Sequence, residues 1–402
     1  VTPREARGLF PGLADVVFLD AACVSLAPSP AIAAAAGVLA AAARCDEADA
    51  SEHHVAMDRL VGRTRDAAAR LLRVERRQVA LVESTTAGLN VAAGAIPLGR
   101  GENVLVADTE FVQVALPWAR KAEAVGAELR PVASRAGLLE PEDFERAMDA
   151  RTRVVCVSSV QWSSGCRLDV RRLGALCRER GAWLVVDAIQ ELGALNLDLS
   201  RGGADFVVAG GHKWLNAPFG CGVMYVGERA LAELQPAGLG YLGLLTPAGG
   251  WPEFFRTPGA TPFGPHRPRG DARRFEVGGT SNYPGAAALG ASIEVVESLG
   301  IDAVERHVLG LAGLAREELR RVGGRVVSPG APSARSGITV FRCHEDPARD
   351  QALADALLAE RVLVAVRYTG AVGGIRVSTH YFNDEEDVMK LCAAVRRLRA
   401  GA

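Results

Sequence analysis

The sequence predicts an α/β protein with a mostly parallel, seven-stranded sheet in a large domain and a smaller α+β C-terminal domain. Three observations carry that prediction. Between about residues 78 and 230, continuous apolar, β-branched runs alternate with amphipathic helical patterns, the rhythm of a parallel sheet covered on both faces. From Pro236 to Arg274 the alternation fails in a stretch rich in Gly and Pro. After Gly285 two long helical patterns lead into a compact series of strands and helices. The expected boundaries are 16–275 for the large domain and 276–402, joined by 1–15, for the small one.

Taken in order, residues 78–82 form the first buried strand, and the Ser/Thr-rich turn 83–86 starts a helix through 88–94. Strands follow at 103–107, 129–132, 153–157, 183–187, 206–209 and 222–226, with helical patterns at 116–125, 141–148 and 170–180. The 236–274 stretch carries Trp251, Phe254, Phe255 and Phe263. It is either a surface excursion or a long loop over a site. Helices are expected to about Leu299 and over 301–322. Strands at 325–327, 337–342, 362–366 and 374–378, with helices at 349–360 and 385–399, complete the C-terminal domain.

Composition narrows the function. The 402 residues are 49% hydrophobic and 23% charged, enough to bury a large core. With 46 basic and 47 acidic residues and no basic run, nucleic acid and anionic membranes are poor partners. The apolar stretch 31–43 is shorter than the ~20 residues that span a bilayer, and 1–12 lacks the apolar core of a signal peptide. Eight cysteines occur without a CxxC pair, so no metal site and no disulfide framework is expected. A cytoplasmic enzyme fits.

Of the 46 basic residues only three are lysines, at 121, 213 and 390. Lys121 and Lys390 lie in polar amphipathic patterns and are expected to be solvated. Lys213 is different. It follows the buried run Phe206-Val-Val-Ala-Gly-Gly-His212, and lysine is rarely buried without a function. The neighbouring run Trp183-Leu-Val-Val-Asp187 ends in an acid at the same sheet edge, where open α/β folds bind ligands. An amine and an acid so placed suggest a Schiff-base enzyme using pyridoxal phosphate. Asp187 would keep the pyridine nitrogen protonated, and Gln190 could reach the phenolic oxygen. Ser84-Thr85-Thr86-Ala87-Gly88 supplies phosphate donors at a helix N-terminus. Each piece alone has a plainer reading, a helix cap for Thr85–Thr86 and a salt bridge for Asp187.

In this order the motifs resemble a known family. Ser84-Thr-Thr-Ala-Gly-Leu-Asn90, Asp187-Ala-Ile-Gln190, Gly211-His212-Lys213, Gly278-Gly-Thr280 and Ile375-Arg-Val-Ser-Thr-His380 are similar to those of class V aminotransferases, within fold type I pyridoxal phosphate enzymes. The group includes cysteine desulfurases, isopenicillin N epimerase-like proteins and C–S lyases, and the match runs from Phe18-Leu-Asp20-Ala-Ala to Asn383. The resemblance implies that Lys213 is the cofactor's imine-forming lysine and moves protons. It implies that Asp187 and Gln190 contact the ring, and that Thr85, Thr86 and His212 hold the phosphate. Thr280 would reach the phosphate of a neighbouring subunit, which implies a homodimer. Arg376 would clamp the carboxylate of an amino-acid substrate, with an ordinary salt bridge as its plainer reading.

The departures from the pattern shape the expected reaction. Phe111 stands where desulfurases stack a histidine on the ring, Trp162 where they often place asparagine, and Gly210 where a serine is usual. Desulfurases carry a cysteine on a mobile loop before the carboxylate-binding arginine. Here that segment, 367–374, has none, and Arg367 is either a second anion contact or a loop salt bridge. Cys343 and Cys392 lie outside it, and the remaining cysteines fall in predicted core elements or distant N-terminal segments. The expectation is therefore a C–S lyase acting on a cysteine S-conjugate or a related amino acid, not a persulfide-forming desulfurase. The alternative is an aminotransferase, epimerase or decarboxylating deaminase working at the α-carbon of a bulky substrate.

Overall fold

The computed structural model describes residues 2–277 and 282–400. Its described strands are β1 (Val17–Phe18), β2 (Val79–Val82), β3 (Asn103–Ala107), β4 (Glu128–Val132), β5 (Thr152–Ser158), β6 (Trp183–Asp187) and β7 (Phe206–Gly210). They continue with β8 (Gly222–Val226), β9 (Arg325–Val326), β10 (Ile338–Arg342), β11 (Val362–Leu363), β12 (Ala365–Thr369) and β13 (Val372–Ser378). Seven of them form the main sheet in the order β2-β8-β7-β6-β5-β3-β4. Only β8 runs against its neighbours, β2 and β7; the other adjacent pairs are parallel. The predicted α/β class and mostly parallel sheet are what the chain forms.

Continuous apolar strands are explained by cover on both faces. Every residue of β3, β6, β7 and β8 is buried. Alternate side chains enter different cores: Leu105, Val155, Val157, Leu184 and Val186 join one cluster, while Val104, Val106, Val154, Cys156 and Val185 join the other. Such residues contribute about 1.5–3 kcal/mol each on burial, and successive ones must point to opposite faces of a strand. Helices cover the sheet closely. Helix Val170–Glu179 passes so near the 203 backbone that a Cβ on Gly174 would lie 1.5 Å from the Gly203 carbonyl oxygen.

The C-terminal part builds a four-stranded antiparallel sheet, β12-β13-β10-β9. Here the structure differs from the sequence reading. The predicted strand 362–366 is two strands, because β11 leaves to pair in parallel with β1. The segment 367–374 is no loop. Gly370 and Ala371 both take positive φ, 54° and 64°, so β12 and β13 join through a two-residue turn of the type that matches strand twist. The N-terminal stretch packs on this part of the molecule: Arg7 forms a bidentate pair with Asp387, and Phe10 lies against Phe382 with ring centroids 4.6 Å apart. The 236–274 stretch carries its own short helix, Gly250–Arg256, and clusters Tyr241, Trp251 and Phe255 around a separate surface cavity. Among the described residues no helix is long and apolar enough to cross a membrane.

Candidate active site

The carboxyl ends of β2, β3, β5, β6 and β7 lie at one sheet edge, and the loops leaving them surround a cavity of about 360 Å³. Thr85, Thr86, Phe111, Trp162, Asp187, Gln190, His212 and Lys213 all line it, and the β12–β13 hairpin adds Arg367 and Arg376. Thr280 lies outside the described residues. No residue of the 236–274 stretch lines the cavity.

Lys213 follows β7 and points into the cavity, with its Nζ hydrogen-bonded to no described residue. It lies 5.9 Å from the centre of the Phe111 ring. Burial pushes its amine down to about 8, although the Asp187 charge pulls the other way. Asp187, at the end of β6, is 3% exposed. Burial raises its carboxyl to about 6, against one hydrogen bond donated by the Ile189 amide at 2.9 Å. No described residue donates to its second oxygen. His212 is pushed down to about 4 by burial and then by the Lys213 charge, and its ring stacks on Phe219 at 4.6 Å.

The phosphate-type donors sit at the N-terminus of helix Thr85–Ala95, where unpaired amides and the helix dipole favour an anion. Ser84 caps the turn by accepting from the Ala87 amide at 3.1 Å. Thr85 is buried and its oxygen accepts from the Gly210 amide at 2.8 Å, which ties the helix to β7. A Cβ at Gly210 would meet that oxygen at 3.1 Å and His212 Nδ1 at 3.2 Å, so this position is cramped for a serine. Lys121 corrects the sequence reading: it is half-buried rather than freely solvated. Its Nζ donates to the Ala93 and Ile96 carbonyls and closes the far end of the same helix.

The ring-binding candidates are differently placed. Phe111 meets Trp162 edge-on at 5.4 Å. Gln190 is anchored at both ends, its oxygen accepting from Trp214 Nε1 at 2.8 Å and its Nε2 donating to the Ala22 carbonyl at 3.0 Å. Arg376, 1% exposed, donates to Asp20 at 3.0 Å and to the Trp162 carbonyl at 3.2 Å, while its Nε finds no described partner. Arg367 donates to the Cys23 sulfur at 3.5 Å.

Sequence reasoning missed two groups. Cys23 is not in a distant segment: it lines the cavity with Lys213 and both arginines. Its one signal was its place directly after the matched Asp20-Ala-Ala run. Glu110 is buried below the site, raised to about 7 by burial, and accepts from the Ser158 amide and Gln161 Nε2, each at 2.7 Å. Its one signal in the sequence is its place directly before Phe111.

Pyridoxal phosphate fits these residues. An unpartnered amine suits its aldehyde, the free oxygen of Asp187 its pyridine nitrogen, the Thr85 helix N-terminus its phosphate, and Phe111 the face of its ring. The fold and this site define a pyridoxal phosphate-dependent enzyme of fold type I. More particularly, the chain belongs to the class-V aminotransferase family, whose model matches residues 17–391. A probable cysteine desulfurase of Methanothermobacter thermautotrophicus is 27% identical over 96% of both chains. An isopenicillin N epimerase of Streptomyces clavuligerus is 30% identical over 84% of both. The apo structure of a cysteine desulfurase from Thermococcus onnurineus superposes with a TM-score of 0.86 at 22% identity, covering 100% of this chain and 99% of that one.

These findings correct the expected reaction. Cysteine desulfurases recur among the relatives, so the C–S lyase assignment and the exclusion of a desulfurase do not stand. The epimerase relatives match the α-carbon alternative only in part. The exclusion rested on a missing loop thiol, and the cavity contains a thiol from elsewhere.

Proposed function

We propose that this enzyme removes the sulfur of cysteine, releasing alanine, in the manner its desulfurase relatives are named for. The observation that carries this reading is a thiol, Cys23, in the same cavity as Lys213 and the two arginines. Pyridoxal phosphate, when bound, supplies an electron sink for bonds at the substrate's α- and β-carbons. The residues do the rest. Lys213, with an amine near neutrality, takes and returns the proton at the α-carbon. Asp187 holds the cofactor's ring nitrogen in its charged form. Arg376, with Arg367, holds the substrate carboxylate through charge-assisted hydrogen bonds. Thr85, Thr86 and His212 bind the phosphate, Gln190 fixes the cavity wall, and Phe111 and Trp162 keep water from the reacting atoms.

We further propose a cytoplasmic homodimer, in which Thr280 reaches the phosphate of the neighbouring subunit. Eight free cysteines suit a reducing compartment. Dimerisation and cofactor retention should then be linked, and Thr280→Ala should weaken both; a fully active monomer in light scattering would refute it. The main test is incubation with L-cysteine and dithiothreitol, with chromatography of the amino acids and assay of sulfide. Alanine and sulfide in equal amounts support the reading. Pyruvate with sulfide, or racemised cysteine without sulfide, overturns it.

A further inference from the structure

We propose that Cys23 is the sulfur acceptor, a catalytic thiol built into the cavity wall rather than carried on a loop; this rests on the desulfurase reading above. Three observations converge on it. Cys23 lines the cavity, while the other cysteines do not. Cys156, Cys166, Cys177, Cys221 and Cys392 are buried, Cys343 is half-buried and Cys45 is exposed away from the site. Burial raises the thiols of Cys177, Cys221 and Cys392 to about 12, which leaves them unreactive.

The second observation is charge. Arg367 donates to the Cys23 sulfur at 3.5 Å, Lys213 and Arg376 border the same space, and of the two carboxylates nearby Asp20 is engaged by Arg376 while Asp187 lines the cavity at the end of β6. The guanidinium of Arg367 is thus in direct contact with the sulfur that would take the substrate's sulfur atom. Third, Arg376 is buried with its Nε–H unpartnered and lines the same cavity. A ligand carboxylate bound there would place an amino-acid side chain beside Cys23.

The step balances. The Cys23 thiolate bonds to the substrate sulfur as the carbon–sulfur bond breaks. The electron pair stays with the β-carbon, which takes a proton, and alanine leaves while Cys23 carries the persulfide. Sulfur is oxidised and carbon reduced by the same two electrons. Two thiol groups, such as the pair on one dithiothreitol, then release sulfide and restore Cys23 as they close to a disulfide.

The chain around Cys23 cannot carry it away. Gln190 holds the Ala22 carbonyl at 3.0 Å, and the Ser25 amide donates to the His212 carbonyl at 2.8 Å. Discharge therefore takes place inside the cavity, to a thiol small enough to enter.

The test uses the cofactor-loaded enzyme, given L-cysteine without reductant, alkylated and mapped by mass spectrometry. One added sulfur on the Cys23 peptide is expected. Cys23→Ser and Cys23→Ala should keep the cofactor's visible absorption yet lose persulfide and alanine, and Cys343→Ser should keep both. Wild-type mapping keeps the test decisive if either Cys23 variant fails to fold. Alanine and sulfide at the wild-type rate from Cys23→Ser, or a persulfide on another residue, would overturn the inference but leave the desulfurase reading intact. No alanine from the wild type would overturn that reading itself.

Discussion

Cofactor-stripped protein should take up pyridoxal phosphate at a rate set by the ionisation of Lys213. Only the neutral amine attacks an aldehyde. Burial disfavours the ammonium form, so the amine loses its proton near pH 8 instead of near the ordinary 10.5. At pH 7.5 about a quarter of Lys213 is then neutral, against roughly one part in a thousand for an ordinary lysine, a rate advantage of ~200-fold. The sign follows directly: the rate should rise from pH 6, reach half its maximum near 8 and level off above 9. Asp187 is the opposing charge, so Asp187→Asn should move the midpoint lower still. The assay is rapid mixing with pyridoxal phosphate over a pH series, borohydride quenching and peptide mapping of the pyridoxyl label. A midpoint near 10.5, or a label on Lys121 or Lys390, would refute the reasoning.

Two further outcomes follow from the packing and the site. Arg376→Lys keeps a charge against Asp20 but loses the guanidinium fork, so KM for the amino acid should rise ~10- to 100-fold, the worth of one charge-assisted hydrogen bond. The change in kcat should be smaller, and an unchanged KM would remove Arg376 from the substrate site. Gly174→Ala drives a methyl group into the Gly203 carbonyl and should cost about 1–3 kcal/mol or more. By contrast, Gly310→Ala, in an exposed helical turn with nothing within 4 Å of the new Cβ, should gain roughly 0.5–1 kcal/mol. Thermal unfolding of the two loaded variants should move in opposite directions, and matched shifts would contradict the close contact at Gly174.

Much of the site was legible because its information is local. Asp187 and Lys213 each end a run of buried apolar residues, and a parallel strand that ends at the carboxyl edge presents its next polar residue to the ligand. The helix cap Ser84-Thr85-Thr86 is likewise written in consecutive residues. The same holds for the class of fold, which apolar runs and helical spacing specify without long-range knowledge.

What the sequence determined by itself is therefore the sheet, the cofactor class and the amine and acid that share its edge. Tertiary structure decided what depends on partners far along the chain. Lys121 sits in a polar pattern that reads as solvated, yet its amine is half-buried because another helix ends beside it. Residues 367–374 read as a loop because their many glycines hide a hairpin, and only pairing of β12 with β13 reveals it. Cys23 belongs to an N-terminal turn with no chemical pattern of its own. It enters the cavity because Gln190 and His212, each delivered by a different strand, hold the backbone on either side of it. Those bonds join residues that no local period relates, so the position of the thiol emerged only when the chain was folded.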